Sequence, residues 1–187
     1  MAASDVITER LFIALSLPDA VKTVVAGLTT PLHDVRWTPV EKLHVTVRFL
    51  GDISVESRDE LVERLASVRV DSFPLPLESG GVFPTKGPPR VLWVGVGSGH
   101  PRLYQLRQQI DDTLLAAGLP TEIRTFHPHV TVGRCTELAS AAVNAWVRTH
   151  RNFAGPTFMV EAFDLFATTL HPAGAIYRLV RRYLLKS

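Results

Sequence analysis

A four-residue pattern that carries an imidazole and a hydroxyl occurs twice in this sequence of 187 residues. His-Val-Thr-Val spans residues 44–47 and again residues 129–132, so the copies lie close to half the chain apart. This spacing is typical of a duplicated half-domain. Two halves related by a pseudo-twofold axis would bring the copies face to face, so we expect both histidines to line one groove.

The pattern has the alternation of a β-strand, in which successive side chains point to opposite faces. His44 and Thr46 therefore share one face of the first copy, and His129 and Thr131 share one face of the second. The valines between them point to the opposite face, toward the core. A groove lined by both copies would hold two imidazoles and two hydroxyls.

This set of groups suits the cleavage of a phosphodiester. Because the imidazole pKa lies near neutrality, one ring can accept a proton from attacking water while the other donates a proton to the departing sugar oxygen. Hydroxyls can stabilise the non-bridging phosphate oxygens, and the guanidinium of Arg134, just after the second copy, matches their geometry. We predict His44 and His129 as the catalytic pair, with Thr46 and Thr131 contacting the substrate.

Each candidate also has an ordinary structural explanation. A lone histidine in a strand is usually structural, but two copies at this spacing are harder to attribute to chance. His127 and His129 resemble half of a zinc site, yet without cysteine ligands or an obvious third ligand we expect no metal. We assign His127 to substrate contact or to support of His129. Phe49 can stack on a base or belong to a core strand. Arg48 can reach the phosphate or lie exposed on its strand, and we expect it to be exposed.

Apolar alternation and β-branched residues predict the strands of the fold. The predicted strands cover residues 11–15, 35–37, 43–50, 73–77, 90–96 and the region around 130–132, with 158–167 and 175–185 as a hairpin. Gly51-Asp52 should end the third of these, and Gly80-Gly81 should lie in a loop. Because Pro74 and Pro76 cannot donate to a ladder, residues 73–77 are predicted as an edge strand.

Helical spacing of apolar residues predicts four helices. The first follows Pro18, and the other three cover residues 54–68, 101–117 and 137–149. Thr136 is a candidate N-cap for the last of them. The mixture of helices with hairpin-linked strands predicts an α+β fold with antiparallel sheets rather than a doubly wound parallel sheet.

The composition bounds the function further. The net charge of +2 permits an anionic substrate such as an RNA end, but it does not indicate a protein that coats long nucleic acid. Cys135 is the single cysteine, so no intramolecular disulfide can form, and a reducing cytoplasm is the expected setting. Residues 1–10 do not resemble a signal peptide, and no stretch is apolar enough for a membrane helix.

Longer stretches resemble the two-histidine phosphoesterase superfamily, and within it the bacterial and archaeal RNA 2′,3′-cyclic phosphodiesterases, also called 2′-5′ RNA ligases. These stretches are residues 10–15, Trp37 with 44–51, 90–95, 126–134, and 165–167 with Tyr177. Because the resemblance covers nearly the whole chain, we expect one domain over residues 1–187.

The resemblance implies a bilobal fold, with two antiparallel sheets and flanking helices around a central groove. It implies hydrolysis of 2′,3′-cyclic phosphates, on RNA 3′ ends or nucleotides, to 2′-phosphates without metal or cofactor. By analogy, His129 activates water, His44 protonates the leaving O3′, and Thr46, Thr131 and Arg134 contact the phosphate. We expect a monomer that needs no membrane and no obligate protein partner.

Two other functions remain open at this point. The same chemistry with a sugar hydroxyl in place of water would join a cyclic phosphate end to a 5′-hydroxyl, as an RNA ligase does. A non-catalytic nucleotide-binding module is the other alternative, although the intact histidines and threonines argue against it.

Overall fold

The architecture comes from a computed structural model, which describes residues 7–120, 125–136, 141–172 and 174–186. The strands are β1 (Thr8–Ser16), β2 (Val35–Trp37), β3 (His44–Ser54), β4 (Phe73–Phe83), β5 (Val91–Gly95), β6 (His129–Cys135), β7 (Ala154–Val160), β8 (Ala162–Thr169) and β9 (Ile176–Leu184). The helices are α1 (Asp19–Ala26), α2 (Val55–Leu65), α3 (Pro101–Ala116) and α4 (Ala141–His150), with a 3₁₀ turn at Val40–Lys42. This mixture confirms the α+β prediction.

The two long helices begin at residues that suit a helix start. The hydroxyl of Ser54 accepts a hydrogen bond from the backbone N–H of Ser57 at 3.2 Å, which caps α2. Pro101 opens α3, where its missing N–H would have no helical partner in any case. Gly118 follows α3 with a φ of +72°, a conformation that glycine adopts without steric cost.

The helix predictions are largely confirmed. The helices expected after Pro18 and over residues 101–117 are present, and the one expected over 54–68 ends earlier, at Leu65. α4 confirms the greater part of the last predicted helix, whereas residues 137–140, which Thr136 was expected to cap, lie outside the described residues.

The strands form one antiparallel sheet in the order β7-β4-β5-β6-β3-β1-β8-β9, with β2 beside β6. β3 and β6 meet in the middle, where Val45 lies opposite Val130. Antiparallel pairing is therefore confirmed, but the prediction of two separate sheets is wrong. The β3–β6 contact joins the two groups of four strands into a continuous sheet.

β3 is longer than predicted because β1 pairs with it beyond Gly51. Leu11 lies opposite Gly51, but the next residue, Phe12, lies opposite Phe49. The residue between Phe49 and Gly51 is therefore extra, and the strand has a β-bulge there. Gly51 has a φ of +78°, which is typical of a glycine in such a bulge. The glycine therefore bends the strand, and the strand ends later, at Ser54.

β4 also differs from its prediction, because Gly80 and Gly81 continue the strand and pair with β5. A Cβ on Gly81 would overlap the indole of Trp93, so the glycine permits close packing where a loop was expected. As a whole β4 lies between β7 and β5, but among the described residues the stretch predicted as an edge strand, residues 73–77, pairs on one side only, with β7. Its first half, with Pro74 and Pro76, pairs with β7 and its second half with β5.

The carboxyl-terminal strands confirm the predicted hairpin in part. β8 and β9 pair antiparallel along their length. Residues 158–167, however, are divided at Glu161 between β7 and β8, and β7 pairs with β4 at the other end of the sheet. In the parts of the chain that the structure describes, no helix is both long and apolar enough to span a membrane.

Candidate active site

The two histidines are the first residues of β3 and β6, the strands that meet in the middle of the sheet. Because Val45 lies opposite Val130, antiparallel pairing places His44 across from Thr131 and Thr46 across from His129. The valines of both copies are buried, while the histidines and threonines are half-buried, which confirms the predicted alternation.

These four side chains line one cavity of about 450 Å³. A cavity of this size is typical of a small-molecule site. Phe49 and Arg134 line it as well, so the structure brings together six of the seven residues predicted for the site.

His127 is the seventh, and it lines an adjoining cavity of about 340 Å³ that also contains His129. Its backbone carbonyl oxygen lies 2.7 Å from Nδ1 of His129. The role predicted for the His127 side chain, in substrate contact or in support of His129, stays a prediction. Within the described ranges, no three His, Cys, Asp or Glu side chains form a group that could hold a metal ion.

Each histidine ring is oriented by the backbone carbonyl two residues before it. Nδ1 of His44 lies 2.7 Å from the carbonyl oxygen of Lys42, and Nδ1 of His129 lies 2.7 Å from that of His127. A carbonyl can only accept a hydrogen bond, so Nδ1 carries the proton in both rings. Nε2 is therefore the atom that gains or loses a proton, and in His44 it lies 3.0 Å from Oγ1 of Thr46.

Two aromatic side chains flank each imidazole. The ring centroid of His44 lies 5.1 Å from that of Phe12 and 5.6 Å from that of Tyr177. The ring centroid of His129 lies 5.0 Å from that of Phe83 and 6.4 Å from that of Trp93. The roles of these rings were not predicted from the sequence, because they come from strands whose neighbours a local pattern does not reveal. Phe12, Trp93 and Tyr177 lie in the stretches that resemble the family, whereas Phe83 lies in none of them.

Burial lowers the pKa of both histidines, because a site removed from water penalises the protonated ring. The nearby charge of His129 lowers the pKa of His44 further, and Arg134 and His127 act in the same way on His129. The hydrogen bond from each ring to its backbone carbonyl opposes this shift without reversing it. Both rings are thus biased toward the neutral form.

Phe49 and Arg134 reach the cavity because each strand contains a β-bulge just after its threonine. In the pairing of β3 with β1, Val47 is the extra residue that has no opposite residue in β1. In the pairing of β6 with β5, Val132 is the extra residue. Strict alternation would turn both side chains away from the cavity, and the extra residue turns them back. The two bulges occupy equivalent positions in the two copies of the pattern.

The same bulge buries Arg48, whose exposed fraction is 2%, so the prediction of an exposed arginine is wrong. Its Nε lies 3.2 Å from Oδ1 of Asp111, an ion-pair contact without hydrogen-bond geometry. Its Nη2 donates to the carbonyl of Pro120 at 3.0 Å. Arg107 joins the cluster, since it binds Asp111 at 2.6 Å and donates to the carbonyl of Val47.

The family of the chain follows from comparison with known proteins. The family model described as the 2′-5′ RNA ligase superfamily matches residues 17–171. The chain therefore belongs to this superfamily, which confirms the resemblance found in its sequence.

Individual relatives agree with this assignment. An RNA 2′,3′-cyclic phosphodiesterase of Archaeoglobus fulgidus is 31% identical over 175 residues, which cover 92% of this chain and 98% of the relative. One of Aeropyrum pernix is 43% identical over 94 residues, and that match spans about half of each protein (50% and 53%). The crystal structure of Escherichia coli LigT complexed with 3′-AMP shares the fold with a TM-score of 0.79 at 24% identity, covering 97% of this chain and 100% of LigT.

Proposed function

We propose that this chain hydrolyses 2′,3′-cyclic phosphates at RNA ends to 2′-phosphates, with His44 and His129 as general acid and base. The observation that carries the proposal is that both histidines line one cavity with Thr46, Thr131 and Arg134. The names of the relatives, RNA 2′,3′-cyclic phosphodiesterases, support the choice of substrate.

In the proposed reaction, Nε2 of His129 accepts a proton from water as the water oxygen attacks phosphorus. The bond between phosphorus and O3′ breaks, and O3′ takes a proton from Nε2 of His44. The products are a 2′-phosphate and a free 3′-hydroxyl. Each proton transfer contributes about 10²- to 10⁴-fold to the rate. Because two imidazoles provide both transfers, the scheme needs no metal or cofactor.

Charge on the phosphate needs stabilisation as the water attacks. The hydroxyls of Thr46 and Thr131 line the cavity beside the two imidazoles, and we assign them to the non-bridging oxygens. Arg134 lies on the same face through its bulge and supplies a cation. Phe49, with 62% of its surface exposed, is assigned to stacking on the base, and His127 to substrate contact beyond His129.

The proposal also concerns the organisation of the whole chain. We infer one bilobal domain over residues 1–187, because the sheet order places four strands on each side of the β3–β6 junction, apart from the short β2 that pairs with β6, and both copies share the bulge. These features support a pseudo-twofold relation. Since one chain supplies both histidines, we infer a monomer without an obligate protein partner. The single cysteine is consistent with action in the cytoplasm.

The test is to incubate the purified protein with a short RNA that ends in a 2′,3′-cyclic phosphate, in excess chelator, and to identify the product. We expect a 2′-phosphate, formed about 10²- to 10⁴-fold more slowly by the double variant His44→Ala/His129→Ala. Dependence on added metal would contradict the proposal, and a 3′-phosphate would retain the acid–base pair but reverse the leaving group. Nucleotide binding without turnover would indicate a binding module.

A further inference from the structure

Two successive residues point inward at the bulge of β3. Val47 and Arg48 are both buried, whereas Phe49 is exposed and lines the cavity. In a regular strand the side chain after Val47 would point to the other face, so the alternation changes at the peptide between Val47 and Arg48. Because a peptide unit is planar, the direction of the Val47 carbonyl fixes the direction in which the strand continues toward Phe49.

The carbonyl at each of the two equivalent bulges accepts a hydrogen bond from outside the pair of strands that forms the bulge. In β6 the carbonyl of Val132 accepts from the backbone N–H of Thr38 at 2.9 Å. In β3 the carbonyl of Val47 accepts from the guanidinium of Arg107, which lies on α3. The main chain thus provides one donor and a side chain provides the other. A side-chain substitution can remove only the second, since a backbone N–H is lost only to proline.

Arg107 is a buried side chain with fixed partners. Its Nε donates to Oδ2 of Asp111 at 2.6 Å, one turn further along α3, and its guanidinium lies 5.1 Å from the centroid of the Phe126 ring. Asp111 also lies 3.2 Å from Arg48, the second inward residue of the bulge. A planar guanidinium held in this way is a pre-organised donor. α3 therefore contacts the bulge of β3 through a group of defined orientation.

We propose that Arg107 is a positioning residue, which holds the β3 bulge in the conformation that presents Phe49 to the base of the substrate. Arg107 binds the carbonyl of Val47, and its effect on the reaction passes through Phe49. The inference rests on the proposed function, in particular on stacking by Phe49, and it assigns the cause of that side chain's orientation. A purely structural arginine would stabilise the fold without affecting how tightly the base is held.

A double-mutant cycle on the cyclic phosphate RNA tests the coupling between Arg107 and Phe49. Arg107→Met keeps a long side chain but cannot donate a hydrogen bond. It should raise KM about three- to tenfold with a smaller change in kcat, because a displaced ring holds the base less tightly in substrate and transition state alike. In the Phe49→Ala protein the same substitution should change KM by less than about twofold, since no ring is left to position.

Arg102→Met is the matched control. Arg102 lies on the same helix and makes similar contacts outside both cavities, donating to the carbonyl of Ser72 at 2.9 Å and pairing with Asp71 at 3.0 Å. It should leave KM unchanged with or without the Phe49 ring, and urea unfolding records the stability of every variant. Arg107→Lys, which retains the charge and a donor, should raise KM by less than Arg107→Met. It carries the cycle if the methionine variant does not fold.

The same cycle is measured on the dissociation constant for adenosine 2′-monophosphate, which requires no turnover. Non-additive effects of the Arg107 and Phe49 substitutions on KM and on this constant support the proposal. It is overturned if Arg107→Met lowers stability but leaves both constants unchanged, or if the two effects multiply. Coupled binding without hydrolysis would contradict the proposed function alone, and additive binding effects with hydrolysis intact would contradict this inference alone. Absence of both binding and turnover would contradict both.

Discussion

β3 and β6 begin alike and then diverge. Each opens with a histidine whose Nδ1 contacts a backbone carbonyl at 2.7 Å, each follows with a threonine in the cavity, and each has a bulge at the next residue. After the bulge, β3 continues with Arg48 and Phe49 and β6 with Gly133 and Arg134. The reactive pair is thus duplicated, while the residues after the bulge have become different: β3 supplies a ring and β6 a cation.

The positions that point into the protein also differ. Arg48 fills its position with a buried side chain tied to Asp111 and Pro120. Gly133 stands at the equivalent place in β6, where a Cβ would come within 2.8 Å of Val35 and 3.1 Å of Trp37. β2 therefore occupies the space beside β6 that the arginine side chain fills beside β3. The two strands therefore present similar side chains to the cavity, but the contacts on their inward sides differ.

The inward contacts of β3 and of β6 can be tested by separate substitutions. Arg48→Ala should lower the free energy of unfolding by about 2–4 kcal/mol, because it removes one member of a buried charge cluster. Gly133→Ala should cost about 1–3 kcal/mol by overpacking against β2. Urea unfolding measures both, with the exposed Arg36→Ala as control. A loss below about 1 kcal/mol for Arg48→Ala would show that the cluster does not support β3.

The residues after the bulge should affect different kinetic constants. Arg134→Ala should reduce kcat/KM about 10- to 100-fold, because charge-assisted hydrogen bonds to the phosphate are lost. Phe49→Ala should raise KM about tenfold with less effect on kcat, since stacking holds the base in substrate and transition state alike. Steady-state kinetics on the cyclic phosphate RNA separate the two. A pure kcat effect for Phe49→Ala would argue against stacking.

The two threonines should differ by a smaller amount. Thr131→Val should reduce kcat/KM by about three- to tenfold through the loss of one hydrogen bond to the phosphate. Thr46→Val should have the larger effect, since the Thr46 hydroxyl also lies 3.0 Å from Nε2 of His44. Equal effects would indicate that this contact is absent during the reaction.

The pH dependence offers the finest comparison. Burial lowers the pKa of both histidines, so each ring loses its proton at lower pH than an ordinary imidazole with a pKa of 6.5. The general base therefore stays deprotonated, and active, down to a lower pH. The general acid likewise loses its proton at a lower pH, so activity falls earlier on the alkaline side. We expect a bell-shaped kcat/KM profile with its optimum below pH 6.5.

Arg134→Gln extends this test, because it removes a cation that lowers the pKa of His129. The limb that belongs to His129 should move to higher pH, which reveals whether that histidine is the base or the acid. Arg36→Gln should leave both limbs in place. An optimum above pH 7 in the wild type would contradict the burial argument.

Sequence alone predicted the histidine and threonine faces because alternation is a property of each strand by itself. It did not predict the bulges, which depend on pairing with β1 and β5. Strict alternation places Arg48 on the cavity face, whereas the bulge turns it inward and brings Phe49 to the cavity. The single sheet likewise depends on a contact between distant residues, Val45 and Val130, which no local pattern encodes.

The most direct measurement is kcat/KM on the cyclic phosphate RNA for His44→Ala, His129→Ala and the double variant, with the exposed His33→Ala as control. If the two copies form one acid–base pair, each single variant should lose about 10²- to 10⁴-fold, and the double variant should be little worse than either. His33→Ala should match the wild type. Retained activity in one single variant, or losses that multiply in the double variant, would contradict a shared two-histidine site.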